Sequence, residues 1–307
     1  MSPLPCELPL CTAFFTCPKA RDRKQRSDFM DYSAMSQARK SVRAFLDTPL
    51  PTSIVEEVRA YFRDCKRLIP SIDVSMIVYY ADVKEDLEGT AGYQGIMIGA
   101  PCYLVILSEE ADHYIENAGY IAEDMVLKFT EMNLSSCWIT FNDGEAIKKA
   151  LGIHLDKRVA AIVAFGYGER TSKKLRLNIK SMSNIDIEVE RGYYSPKLSI
   201  DELVFSRKWG EPATIGEIGD TESSLWRALY AASLSPSYLN RQPYGFILDH
   251  GKVILVVKKD EYTDEINEKL NIGIVMLHFS AVISQRLFDV KWHWEAPDQD
   301  LGLPENC

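Results

Sequence analysis

An α+β sandwich is the fold class that this 307-residue sequence predicts, and three observations predict it. Apolar residues recur at helical spacing in several stretches, as in Ile54, Val55, Val58, Tyr61 and Phe62. Between these stretches lie short runs rich in β-branched and aromatic residues, such as "IDVSMIVYY" (72–80) and "CYLVILS" (102–108). The two kinds of segment follow one another in mixed order, which favours helices layered on mixed sheets.

Each element has its local reason. Residues 1–29, "MSPLPCELPLCTAFFTCPKARDRKQRSDF", are aperiodic, and their apolar part precedes their basic part, which is the reverse of a signal peptide. They read as a disordered N-terminal extension, with folding beginning near Met30. Pro49 and Pro51 block helix before Thr52, and Ser53 with Glu56 can form a capping box for the helix that follows. "GYIAEDMVLKFTEMNL" (119–134) reads as an amphipathic helix, and "VAAIVAFGYGE" (159–169) as a buried strand leaving through glycines. "SMSNIDIEVERGYYSPKLS" (181–199) reads as a crossing or linker segment. "ESSLWRALYAASL" (222–234) is a helix, and "YGFILDHGKVILVVK" (244–258) a hairpin with its turn at His250 and Gly251. "NIGIVMLHFSAVISQRLFDVKW" (271–292) is a long core helix leading into a strand.

The second half thus repeats the order of the first. Asn117, Gly119 and Trp138 match Asn271, Gly273 and Trp292 at one constant offset of 154 residues. Together these favour an internal duplication. The expected division is an extension over 1–29, a first half over 30–180, a linker over 181–199 and a second half over 200–307.

Composition narrows the function. A net charge of −9 argues against the sequence-independent phosphate attraction of nucleic-acid binders, so any basic site must be local. No apolar run reaches the roughly eighteen residues of a membrane span. The nearest, "IGIVMLHFSAVI" (272–283), is shorter and holds His278, which suits a buried core helix. Seven cysteines without a CxxC, and five histidines without ligand spacing, indicate neither a disulfide framework nor a metal site. A reducing cytoplasm fits that usage.

There is no GxSxG elbow, no P-loop and no HExxH. "GTAGYQG" (89–95) reads as a flexible loop, because it neither follows a clear strand nor opens a helix. Three polar clusters remain. The first is Arg39-Lys40-Ser41-Val42-Arg43. The second is "SPSYLNRQPY" (235–244), where Pro236, Asn240 and Pro243 force irregular backbone. The third is "SKKLRLNIK" (172–180), with Lys174 and Arg176 on one side of an extended chain. Taken singly, each reads equally as a solvated face or a turn.

Taken together, they resemble the nitroreductase family of FMN-dependent oxidoreductases, and in particular its branch of single-chain, internally duplicated members. The resemblance runs from about Met35 to about Trp294. Arg39, Ser41, Arg43 and Phe45 match an Arg-x-Ser-x-Arg/Lys-x-Phe pattern. Pro236, Ser237, Asn240, Gln242, Pro243 and Tyr244 match a Pro-Ser-x-x-Asn-x-Gln-Pro-aromatic loop. "LSSCWI" (134–139), "FGYGE" (165–169) and the pair Lys174 and Arg176 add to the likeness.

The resemblance implies a nitroreductase-like fold whose two tandem halves form a pseudo-dimer. Arg39, Lys40, Ser41, Arg43, Lys174 and Arg176 would bind FMN from the first half. Pro236, Ser237 and Asn240 would complete the site from the second, and Ile139 with Thr140 would face the N5 edge of the flavin. A phosphate monoester carries close to two negative charges at neutral pH, and arginine meets it with bidentate, charge-assisted bonds. The implied activity is an NADH- or NADPH-dependent oxidoreductase acting on a flat, electron-poor acceptor such as a nitroaromatic, quinone or enone. A flavin sensor or store with little turnover is one rival reading. Dehalogenation or flavin breakdown on the same scaffold is another. Each motif occurs in one half only, which implies a monomer holding one FMN between its halves.

Overall fold

The computed structural model describes residues 11–16, 30–93, 95–169, 174–181, 184–190, 196–286, 289–294 and 300–304. The first sheet holds β2 (Val74–Tyr80), β3 (Cys102–Ser108), β4 (Ser135–Ile139) and β5 (Arg158–Gly166), all antiparallel, in the order β2-β3-β5-β4. The second runs β11 (Asp289–His293), β1 (Cys11–Thr16), β10 (Lys252–Val257), β9 (Tyr244–Asp249) and β8 (Val204–Ser206), with β8 parallel to β9. A separate hairpin joins β6 (Lys174–Ser181) to β7 (Asn184–Glu190).

The central strands β3 and β5 of the first sheet and β9 and β10 of the second are buried on two faces. Along β3, Cys102, Leu104 and Ile106 join one core cluster, while Tyr103, Val105 and Leu107 join another. Successive side chains of a strand point to opposite faces, so a continuous apolar run serves both sides. In the second sheet Phe246 and Leu255 face one cluster, Ile247 and Ile254 the other. The tight turn between β9 and β10 is His250 (φ 43°) and Gly251 (φ 82°), two left-handed residues of the kind a two-residue hairpin requires.

The helices α1 (Tyr32–Ala38), α2 (Thr52–Asp64), α4 (Tyr114–Glu131), α8 (Ser224–Ser233) and α9 (Glu265–Arg286) fill the space between the sheets. Short helices α3 (Lys84–Leu87), α5 (Gly144–Ala150), α6 (Ile200–Leu203) and α7 (Ile215–Ile218) lie in the connections. At the centre, α4 and α9 pack along each other. A Cβ on Gly119 would come within 2.7 Å of the Leu270 carbonyl oxygen, and one on Gly273 would collide with the Glu116 carbonyl. Two backbones approach this closely only where neither carries a side chain.

Several expectations change. Cys11–Thr16, inside the expected disordered extension, is a strand between β10 and β11. Its alternative would be exposed edges on both neighbours, and filling that gap is what orders it. The helix at 52 begins on Pro51 without a side-chain cap, so Ser53 and Glu56 form no capping box. Proline's fixed φ already suits that turn. Helix α4 is not amphipathic in the sense of meeting water. It is buried from Ile115 to Leu127, including Glu116, Asn117, Glu123 and Asp124, because α9 covers the face that solvent would otherwise see. The expected linker over 181–199 contains β7. Helix α9 satisfies the length and composition of a membrane span, but 83% of that window is buried inside the protein, as a core helix would be.

Gly273→Ala should destabilise the fold by about 1–3 kcal/mol, since the new methyl group meets helix backbone that cannot turn aside. Denaturant unfolding measures this. A loss below about 0.5 kcal/mol would mean that α4 and α9 separate easily.

Candidate functional site

Helix α1 carries the first motif to its place through two buried anchors. The Tyr32 hydroxyl donates to Asp124 Oδ1 of α4 at 2.7 Å, and Ser36 Oγ lies 2.9 Å from His278 Nδ1 of α9. Asp124 also accepts from the Tyr61 hydroxyl at 3.2 Å and the Lys66 N–H at 2.7 Å. Burial pushes its carboxyl above the usual range, against those donors. Tyr32 and Tyr61 are pushed up too, by burial first and then by Asp124.

Arg39 caps the C-terminus of α1, its N–H donating to the Met35 carbonyl at 2.8 Å. The chain then runs extended beside β4. Ser41 forms a parallel bridge with Ser136, and the Val42 N–H donates to the Ser136 carbonyl at 2.9 Å. Phe45 bridges Gly168 and is buried, which ties the motif to the glycine-rich exit of β5. Lys40, Ser41 and Arg43 remain exposed.

Arg39 turns inward instead, its side chain only 7% exposed. Nη1 donates to Ser41 Oγ at 3.3 Å, and Nε lies 3.7 Å from Glu123 Oε1. Nε is buried without a hydrogen-bond partner. Glu123, fully buried on α4, accepts from Trp138 Nε1 at 2.8 Å and meets His278 Nε2 at 2.9 Å. Burial lowers the His278 pKa against the pull of Glu123, so the ring is neutral near pH 7. A carboxylate only accepts, so Nε2 carries the proton and Nδ1 accepts from the Ser36 hydroxyl.

The second motif forms a strained loop between α8 and β9. Leu239, Asn240 and Gln242 all adopt left-handed backbone, with φ of 50°, 57° and 47°. Three such residues in four positions store strain that the surroundings must hold. They do so with hydrogen bonds. Ser237 Oγ accepts from the Gln242 N–H at 2.9 Å, and the Tyr238 N–H donates to Asn271 Oδ1 at 3.0 Å. Asn240 Nδ2 donates to the Pro196 carbonyl, and Lys197 Nζ to the Ser235 carbonyl, both at 2.7 Å. The Leu198 N–H donates to Gln242 Oε1 at 2.9 Å. Ser237 and Asn240, expected to face a ligand, thus spend these polar atoms on the loop and on residues 196–198, while Pro236 is buried.

Lys197 links the two motifs. Burial, and then the neighbouring charge of Arg39, pull its ammonium down to about 8, against the attraction of Glu123. It also lines a cavity of about 450 Å3 together with Leu198, Ile218, Trp226 and Tyr230. The Arg39 charge reaches Tyr244 at the end of the loop as well.

Ile139 ends β4, three residues beyond Ser136, and is buried. Thr140 is half-buried and joined to Gly92, whose N–H donates to its carbonyl at 2.7 Å and whose carbonyl accepts from its hydroxyl at 3.1 Å. The glycine loop expected to be flexible is therefore fastened to β4, with Tyr93 and Ile96 exposed on it. Lys174 and Arg176 lie in β6, in register opposite Glu190 and Glu188. What their side chains do lies outside the described residues.

The structure therefore sets Arg39, Ser41 and Arg43 alongside β4, and Lys197, hydrogen-bonded to the loop that holds Pro236, Ser237 and Asn240, lies within the field of Arg39. Sequence reasoning missed Glu123, His278 and Lys197. Two adjacent acids inside an apolar helix were the available signal for Glu123. Lys197 had none. Among the described residues no group of three or more potential ligands gathers as a metal site.

Comparison with known proteins agrees with this architecture. A family model described as "Putative TM nitroreductase" matches residues 32–283. No match was found among curated proteins. A solved Thermotoga maritima structure, described as a putative nitroreductase, covers 87% of this chain and 90% of its own at 16% identity, with a TM-score of 0.52. A nitroreductase family protein from Clostridium novyi covers 46% of this chain and 86% of its own, at 19% identity and a TM-score of 0.40. An FMN-dependent nitroreductase from Clostridium difficile covers 45% and 88%, at 20% identity and a TM-score of 0.38. The first of these shares the fold, and the family match spans most of the sequence, from the helix that precedes Arg39 to the core helix that holds His278. This chain belongs to the nitroreductase family described by that model.

Proposed function

We propose that the protein is an FMN-dependent oxidoreductase of nitroreductase type, oxidising NADH or NADPH and reducing a flat, electron-poor acceptor. One observation carries the reading. Arg39 is a largely buried guanidinium whose Nε faces Glu123 and whose Nη1 reaches Ser41, set beside Arg43 and within the field of Lys197. Arg39, Ser41, Arg43 and Lys197 are donors, and all but the serine are cations, which suits a phosphate monoester and the carbonyl edge of a pyrimidine. FMN would be held by Arg39, Ser41, Arg43 and Lys197, with the 235–244 loop as a wall and Ile139 and Thr140 at the end of β4. When bound, it supplies the hydride chemistry, and the protein supplies position and field.

We further propose that the chain is a monomer imitating a dimer, with one flavin. Strands β9, β10, β1 and β11 follow the same order as β2, β3, β5 and β4. Asn117 Oδ1 accepts from the Ile69 N–H at 2.9 Å, as Asn271 Oδ1 does from Tyr238, and both asparagines leave Nδ2 buried without a partner. This correspondence supports a duplicated ancestry.

The purified protein should show a flavin spectrum and bind one FMN per chain; two per chain, or a site shared between chains, would refute the monomer reading. Arg39→Ala should weaken FMN binding by about 1.5–3 kcal/mol, or roughly ten- to a hundredfold, measured by flavin fluorescence quenching. Stopped-flow mixing of the loaded protein with NADH or NADPH should bleach the flavin, and a store or sensor would stay yellow with both.

Lys197 gives a pH test. FMN is a dianion above about pH 7. Lys197, held near 8, loses its charge above that pH, so affinity should fall as pH rises from about 8 to 10. Lys197→Met should remove the dependence, and an unchanged slope in that variant would exclude Lys197 from the site.

A further inference from the structure

The buried carboxylate of Glu123 is unexplained by folding alone. It is fully buried, as is His278, and the pair joins α4 to α9 at 2.9 Å. Removing an ion from water is costly, and a well-packed apolar pair would serve stability as well or better. Three donors converge on this carboxylate: Trp138 Nε1 from β4, His278 Nε2 from α9 and Arg39 Nε, the last at 3.7 Å. Two are held at hydrogen-bond distance, which fixes the carboxylate's plane. The third, Arg39 Nε, faces the carboxylate without a closed bond, which turns the guanidinium so that Nη1 reaches Ser41 at the other side.

The surrounding charges agree. Arg39 and Lys197 are the cations whose fields meet here, and Glu123 stabilises the charged form of Lys197. Ser36, at the other ring nitrogen of His278, lies three residues before Arg39 on α1. The imidazole therefore fixes both the helix that delivers Arg39 and the carboxylate that orients it.

We infer that Glu123 and His278 are positioning residues, which hold the Arg39 guanidinium ready for the anionic and carbonyl edge of the flavin. This rests on the FMN reading above. Neither residue touches the ligand. They act through Arg39, and the dependence is what an experiment reads.

The test is a double-mutant cycle on FMN affinity with the full chain. Glu123→Gln presents an amide N–H to one of three donors, so it should weaken FMN binding about tenfold in the wild-type background. In an Arg39→Ala background the same change should weaken it less than about twofold, because the residue it positions is gone. Equal loss in both backgrounds, or no loss in the first, overturns the inference. His278→Gln, whose amide can still donate to Glu123, should stay within about threefold of wild type, whereas His278→Leu should lose about tenfold. Equal affinities for those two variants also overturn it, and they decide the matter should Glu123→Gln fail to fold. A wild-type protein that binds no FMN would instead refute the proposed function.

Discussion

Everything near the site depends on how closely α4 and α9 approach. Gly119 and Gly273 lie where each backbone meets the other, so the helices can touch without a layer of side chains between them. That approach brings Glu123 of one helix within 2.9 Å of His278 on the other. A wider separation would leave a buried carboxylate without its partner, a costly state inside a protein. The glycines therefore make the polar contact possible, and the polar contact fixes the register of the glycines. Nonspecific packing of two apolar helices would permit several registers, whereas a single buried hydrogen-bonded pair permits one.

The same two helices place α1. Tyr32 and Ser36, four residues apart on one face, meet Asp124 and His278 respectively. A seven-residue helix is too short to be stable alone, so its position comes from these anchors and from Met30 and Tyr32 in the core. Arg39 emerges where α1 ends, and the parallel bridge of Ser41 to Ser136 carries the motif along β4. The loop at 235–244 is fixed differently. Its left-handed residues would relax if free, and residues 196–198 hold it with three hydrogen bonds. Each motif is thus held by residues from distant parts of the chain.

This explains what was legible in the sequence. Strands β2, β3 and β5 announced themselves through runs of β-branched and apolar residues, and both long helices through their apolar content, all local properties, whereas β4 was marked only by the family likeness of "LSSCWI". The hairpin turn was legible because His250 and Gly251 must adopt left-handed backbone between two apolar runs. Strand β1 was not legible, since "CTAFFT" gains its place only from β10 and β11, more than two hundred residues away. Arg39 and Ser41 could be read from their pattern, but the inward turn of Arg39 toward Glu123 could not, because only the packing of α1 on α4 brings the two together. Lys197 sits in what reads as linker, and nothing around it in sequence marks the carbonyl it meets. Chemistry carried by spacing was readable, and chemistry assembled across the core was not.

The offset that aligns the two long helices also bears on why one site would persist. It sets Asp124 over His278, and each reaches a side chain of α1, Tyr32 in one case and Ser36 in the other. The same offset sets Glu123 over Leu277. On the proposed duplication, the matching position then offers no carboxylate to orient an arginine, and the leucine there is simply core. The segment that the proposed duplication sets against 235–244 offers Pro70 and Ser71 without a following Asn or Gln-Pro. If Glu123 orients Arg39 as inferred, the arginine, its buried counter-charge and the facing loop work as a set, and a buried carboxylate left without its partner would be destabilising. On that proposal, loss of one member of a second set would make the others costly and favour replacing them with apolar residues. On the one-flavin reading, Leu277 is what such a replacement leaves behind.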